Sequence, residues 1–231
     1  MSYKTIDVVD HGRHVSITLN RPEALNSISA EMIDELTQVL ETYRARESLT
    51  ALSITGAGRA FCAGVDLKSA KDRISAEDGV DANYQFLDRL RILLLDIETF
   101  PAPVIAVVNG LALAGGLELV LACDLVIAAK TAKLGDAHAN YGLVPGGGSS
   151  ARLPRKIGPN RAKQMIYSGD FLTADHLLDW GLVNWVAPDA QLDAELQKQL
   201  DQLAGKSPIG LRRMKRMVDE GLAQPLEVAL V

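Results

Sequence analysis

Glu118 closes the run Asn109-Gly-Leu-Ala-Leu-Ala-Gly-Gly-Leu-Glu118, three residues after Gly115. The apolar stretch just before it, 104–108, reads as a strand that turns through small residues into a helix opening at Gly115 and Gly116. The first N–H groups of a helix have no internal acceptor and carry the positive end of its dipole. Glycine, lacking a Cβ, lets another molecule come close to that backbone. A carboxylate one turn further on faces whatever those groups hold. A donor for a developing anion beside an acid–base group is the minimal equipment for chemistry next to a carbonyl. Leu117, Leu119, Val120 and Leu121 surround Glu118, which argues against a solvated carboxylate and for a buried one with a raised pKa.

The elements needed to hold such a site are legible. A β-branched alternating run over 14–20 predicts a strand ending at an Asn-Arg-Pro turn. Met32, Ile33, Leu36, Val39 and Leu40 are spaced as one helical face, so 30–46 is expected to be helical. A strand over 51–55, a helix over 86–97 and strands over 104–108 and 124–128 follow. This alternation predicts an α/β fold with largely buried sheets. After Gly158 the chain reads as helices over 160–167, 174–180, 192–203 and 210–220, broken by a short apolar run over 182–186.

Composition narrows the classes. In 231 residues, 24 basic and 29 acidic side chains give a net charge of −5, and no basic run suggests nucleic-acid binding. No apolar run approaches the ~20 residues of a membrane span, and the N-terminus reads as neither signal nor transit peptide. Cys62 and Cys123 are isolated thiols without metal-ligand spacing, expected to be reduced packing residues. A cytoplasmic enzyme without a metal or a resident cofactor is the expectation.

A second loop completes the pattern. Phe61-Cys-Ala-Gly-Val-Asp-Leu67 follows the strand at 51–55, and together with the Glu118 segment it resembles the enoyl-CoA hydratase/isomerase (crotonase) family. Asn20-Arg-Pro-Glu-Ala-Leu-Asn26, Ala122-Cys-Asp-Leu-Val-Ile-Ala128, Gly142-Leu-Val-Pro-Gly146 and Trp180-Gly-Leu-Val183 extend the resemblance in the right order along nearly the whole chain. It implies a spiral of ββα units over 1–190, a C-terminal helical region over 191–231 that stops earlier than relatives do, and a homotrimer or a dimer of trimers. It also implies an acyl-CoA thioester substrate, coenzyme A entering as part of that substrate.

The resemblance gives each site residue an expected role. The N–H groups of Val65 and Gly115 would form the oxyanion hole, and Glu118 would be the first catalytic glutamate. Ala24, Leu25, Ala63, Val65, Asp66, Leu67 and Lys68 match the stretches that bind the adenine and pantetheine. Lys68 is the candidate for a phosphate contact, with a solvated lysine as the alternative, and Asp66 has the alternative of capping a turn. Simple close packing of a helix is the other reading of Gly115 and Gly116.

The departure is His138, which falls where hydratases of the family carry their second glutamate. The chain thus lacks half of the arrangement that holds one water between two carboxylates, and the isomerases generally use that carboxylate too. Histidine still exchanges protons near neutral pH, so a Glu118–His138 pair can orient a water. A structural histidine is the alternative, and Asp136 either orients it or caps a turn. The family's diketone hydrolases pair a histidine here with an aspartate on the Pro-Gly loop, where this chain has Gly146-Gly-Gly148.

Other classes fit less well. Gly56-Ala-Gly-Arg-Ala-Phe61 lacks the third glycine of a dinucleotide fingerprint, and Gly205-Lys-Ser207 lacks the leading glycine of a phosphate loop. No Gly-x-Ser-x-Gly elbow is present, and the helix after the glycine turn carries no serine nucleophile. Hydration of a 2-enoyl-CoA, or the reverse dehydration, is the expected reaction. The alternatives are C–C hydrolysis or decarboxylation through the same enolate, and a catalytically depleted CoA-ester-binding protein.

Overall fold

The computed structural model describes residues 3–66 and 79–230. Strand β1 (Ile6–Asp10) and strand β2 (His14–Leu19) form an antiparallel hairpin around Gly12, whose φ of 85° suits glycine. In β2 the alternating Val15, Ile17 and Leu19 turn inward. Helix α1 (Ala30–Arg44) starts at Ser29, whose side chain accepts the Met32 N–H at 3.1 Å, and buries the five apolar residues of the expected face.

Three successive ββα units follow, each giving one strand to each of two sheets. Strand β3 (Ala51–Gly56), strand β4 (Ala60–Cys62) and helix α2 (Gly79–Glu98) make the first. Strand β5 (Val104–Val108), strand β6 (Leu111–Leu113) and helix α3 (Gly115–Ala122) make the second. Strand β7 (Leu125–Ala129), strand β8 (Lys133–Gly135) and, after a 3-10 turn His138–Tyr141, helix α4 (Ser149–Ile157) make the third. One sheet has the order β1-β2-β3-β5-β7 and ends in strand β10 (Trp185–Ala187); the other has the order β4-β6-β8 and ends in the short strand β9 (Leu172–Thr173). Within both, the strands drawn from these units pair in parallel. Every residue of β5 is buried, as expected of a parallel strand covered on both faces.

The spiral implied by the resemblance is therefore present. Its second sheet, built from strands of two or three residues, is what periodicity did not predict. Helices α5 (Pro159–Ser168), α6 (Ala174–Asp179), α7 (Leu192–Ala204), α8 (Pro208–Leu222) and α9 (Leu226–Ala229) complete the chain, close to expectation. No residue of α8 is buried; Lys215 anchors it to Asp124 through a 2.6 Å ion pair across a groove of about 760 Å³. The Gly205-Lys-Ser207 segment joins α7 to α8, and Ser207 caps α8 by accepting the Gly210 N–H. Among the described residues no helix is long and apolar enough to cross a membrane.

Candidate active site

A cavity of about 230 Å³ lies where the three units meet. Its wall is apolar, drawn from Phe86, Leu87 and Leu90 of α2, Leu113 of β6, and Leu143, Val144 and Phe171. Into it face Val65, Gly115, Glu118 and His138, four residues scattered over 74 positions of sequence.

The hydrogen-bond pattern aims two N–H groups at this space. Ile28 donates to the Gly64 carbonyl at 2.8 Å and accepts from the Asp66 N–H at 3.1 Å, a parallel bridge that turns the intervening Val65 N–H the other way. The Gly115 N–H is the first of α3 and has no intrahelical acceptor. An added Cβ on Gly115 would stand 3.4 Å from Val65 N, so the two donors are neighbours. Ala114 sets this geometry at φ 49°, ψ −117°, a conformation foreign to residues with a side chain. Among the described residues, those other than glycine with positive φ, Leu25, Asn26, Ala114 and Ala137, all belong to the turns around the site.

The two glycines divide the readings offered for them. A Cβ on Gly116 would fall 2.0 Å from the Cys62 carbonyl oxygen, so this glycine permits helix α3 to pack on β4. Gly115 meets nothing closer than 3.4 Å and has no such packing duty.

Glu118 is 2% exposed. Its Oε1 accepts the Ser149 N–H at 3.1 Å, the first N–H of α4, so the carboxylate sits at the positive end of that helix. Burial raises its pKa; the Ser149 and Gly147 backbone and nearby His138 pull the other way, and burial prevails. A Cβ on Gly147 would lie 2.5 Å from Glu118 Oε2 and 2.9 Å from Leu94 Cδ1, so a larger residue here would require the Glu118 carboxylate to shift. Arg152 braces the loop: its Nη1 donates to the Gly147 carbonyl at 2.8 Å while Nε and Nη2 hold Glu98.

His138 opens the 3-10 turn after Ala137, whose φ of 59° folds the chain back so that Asp136 and His138 meet. Asp136 Oδ1 lies 2.9 Å from His138 Nδ1, and the His138 N–H donates to the Asp136 carbonyl at 2.7 Å. Burial disfavours the imidazolium, but the Asp136 hydrogen bond and charge, with Glu118 beyond, outweigh it and raise the His138 pKa.

The remaining expected residues are distributed more widely. Ala24 ends a 3-10 turn, and Leu25 accepts the Ala63 N–H at 3.0 Å, bringing that turn against the Val65 loop. Asp66 is ion-paired with Arg21 at 3.0 Å, a partner not foreseen, and Arg21 also donates to the Ser27 carbonyl. Leu67 and Lys68 lie outside the described residues. His14 contacts Ser53 and is pushed down to about 4 by burial, and His176 packs on Trp180, each away from the cavity. Cys62 and Cys123 are free, buried thiols, each pushed up to about 12 by burial.

Sequence reasoning missed the two asparagines that shape the site. Asn26 accepts the Arg21 N–H at 2.9 Å and donates to the Ala57 and Ala60 carbonyls at 2.9 and 2.8 Å. Asn109 accepts the Gly56 N–H at 3.1 Å and donates to the Gly58 carbonyl at 2.9 Å. Together they fix the loop that delivers β4 and Val65. The available signal was an asparagine at the end of each quoted segment, where a side-chain amide can replace missing ladder bonds. Ser149 and Arg152 carried no comparable signal.

The model of the enoyl-CoA hydratase/isomerase family matches residues 13–230. The chain is 40% identical over 210 residues to the human mitochondrial enoyl-CoA hydratase domain-containing protein 2, spanning 89% of this chain and 70% of that one. It is 32% identical over 231 residues to the crotonyl-CoA hydratase of Syntrophomonas wolfei, spanning 100% and 87% of the two chains. The crystal structure of an enoyl-CoA hydratase from Bacillus anthracis aligns with a TM-score of 0.93 at 36% identity, over 98% of this chain and 87% of that one. With a family match over nearly its whole length and a solved relative of the same fold, this chain belongs to the enoyl-CoA hydratase/isomerase family.

Proposed function

We propose that the protein adds water to a 2-enoyl-CoA, or removes it from the 3-hydroxyacyl-CoA. The observation that carries this reading is the convergence of a buried carboxylate, Glu118, a cation-forming histidine, His138, and the Val65 and Gly115 N–H groups on one apolar cavity. The two N–H groups hold the thioester oxygen. Glu118, as carboxylate, takes a proton from water while the oxygen bonds to the β-carbon and the π electrons move onto the thioester oxygen. The enolate collapses and its α-carbon takes the Nε2 proton of His138. Glu118 ends protonated and His138 neutral, and exchange with solvent restores both. Each oxyanion-hole donor is worth roughly 3–4 kcal/mol in comparable sites.

The reading includes an assembly of three or six copies through the C-terminal helices, supported by the uncovered apolar residues of α8, and a cytoplasmic setting, supported by the unbridged thiols. His138 favours a second reaction in one respect: a cation here accommodates a carboxylate-bearing acyl group, as decarboxylation would require.

The test is loss of the conjugated thioester absorbance when crotonyl-CoA is added to the purified protein. Hydration predicts rapid loss with 3-hydroxybutyryl-CoA as product, and a decrease of roughly 10²–10⁴-fold in Glu118→Gln with thioester binding retained. Equal activity in that variant removes Glu118 from the chemistry. Binding without turnover by the parent protein overturns hydration and directs the search to malonyl-type thioesters.

A further inference from the structure

Asp136 is 0% exposed, and a buried carboxylate is tolerated only where partners offset its charge. Its Oδ1 is engaged with His138 Nδ1 at 2.9 Å, and its Oδ2 has no hydrogen-bond partner among the described residues. The imidazole is thus the one group seen to compensate this charge, and it does so fully only as the imidazolium. Since Nδ1 faces Asp136 and the ring lines the cavity, Nε2 is the nitrogen left to meet the substrate. The other titratable side chains on the cavity are Glu118 from α3 and Tyr141 from the same turn, so Asp136 and Glu118 are the anions His138 experiences.

We propose that Asp136 is a positioning residue that fixes the Nδ1–H tautomer and the charge of His138, making a histidine rather than a second carboxylate the proton donor of this site. The inference deepens the hydration reading and rests on it for the identity of the acceptor carbon. In the donating step the Nε2–H bond breaks, its proton bonds to the α-carbon with the enolate electron pair, and His138 is left neutral with its Nδ1 still on Asp136. The arrangement separates acid and base by chemistry: Glu118 accepts while His138 donates, whereas two carboxylates must share one proton between like groups.

The experiment is ¹⁵N-histidine NMR of the parent protein and of Asp136→Asn across pH, with kinetics alongside. In the parent, His138 retains a proton on Nδ1 at every pH and titrates above free imidazole. In Asp136→Asn its proton affinity falls about tenfold or more, because an adjacent opposite charge is worth one to three pH units. The kcat for crotonyl-CoA at neutral pH falls by about the same factor at unchanged KM, and recovers as the pH is lowered to reprotonate the ring, down to the pH at which Glu118 itself takes up a proton. A purely structural carboxylate would give a loss that acid does not rescue. Unchanged titration in Asp136→Asn overturns the proposal, as does a parent His138 that is unprotonated on Nδ1, a result that needs no variant to fold. The ring titration is read without turnover, so a protein inactive on enoyl thioesters with Asp136-dependent titration loses the hydration reading alone.

Discussion

Glu118 is held where it is useful at a cost to the folded state. Burial raises its pKa above the ordinary 4.5, so the native protein keeps the proton to higher pH than the unfolded chain does. Below 4.5 both states are protonated and the group is neutral for stability. As pH rises through that value and then through the raised native one, ionisation favours the unfolded chain and stability is lost. Glu118→Gln is therefore expected to match the parent's melting temperature near pH 4 and to exceed it increasingly toward pH 8, the reverse of its effect on turnover. Calorimetric scans at both pH values check this; a variant less stable than the parent at pH 8 would show that the Ser149 hydrogen bond to the carboxylate outweighs burial.

The site is a product of how α3 leaves β6 and packs on β4. Ala114 adopts its positive φ so that α3 can begin with its first N–H turned toward the Val65 loop, and Gly116 removes the Cβ that would strike Cys62. Adjacent glycines with unlike duties make a sharp comparison. Gly116→Ala forces overpacking costing about 1–3 kcal/mol and is expected to lower the melting temperature by roughly 5 °C or more. Gly115→Ala should melt within about 2 °C of the parent, since its methyl meets only ordinary contacts. That methyl occupies the space between the two donors, so kcat/KM falls by about a hundredfold. Thermal scans and crotonyl-CoA kinetics on the pair decide the matter: full activity in Gly115→Ala would contradict the oxyanion hole.

Over the whole chain, alternating strands between two sheets stacks three ββα units so that the start of α3, the Val65 loop and the His138 turn lie around one cavity. Helix α8 carries an uncovered stripe: Met214, Met217, Val218 and Leu222 are exposed, Met217 by 72%. This apolar stripe is what supports the proposed assembly. Sedimentation velocity of the parent should report three or six copies, and Met217→Glu with Leu222→Glu should yield monomers of unchanged helix content. A monomeric parent protein would remove the assembly from the reading.

Elements whose pattern repeats within a few residues were legible from the chain. The α1 face, the fully apolar β5 and the amphipathic C-terminal helices follow local burial, and each formed close to where spacing placed it. The Glu118 helix was legible for the same reason, a charged residue in an apolar run after glycine. The second sheet was not, because strands as short as two or three residues carry no period and exist through pairing with distant partners. Likewise the sequence names Asp136, Glu118, Ser149 and Val65 without relating them. Only packing places the α4 N-terminus on Glu118, pairs Asp66 with Arg21, and buries Asp136 against the His138 ring. Those relations depend on desolvation and on distances across elements far apart in the chain, and neither quantity is a property of a local run of residues.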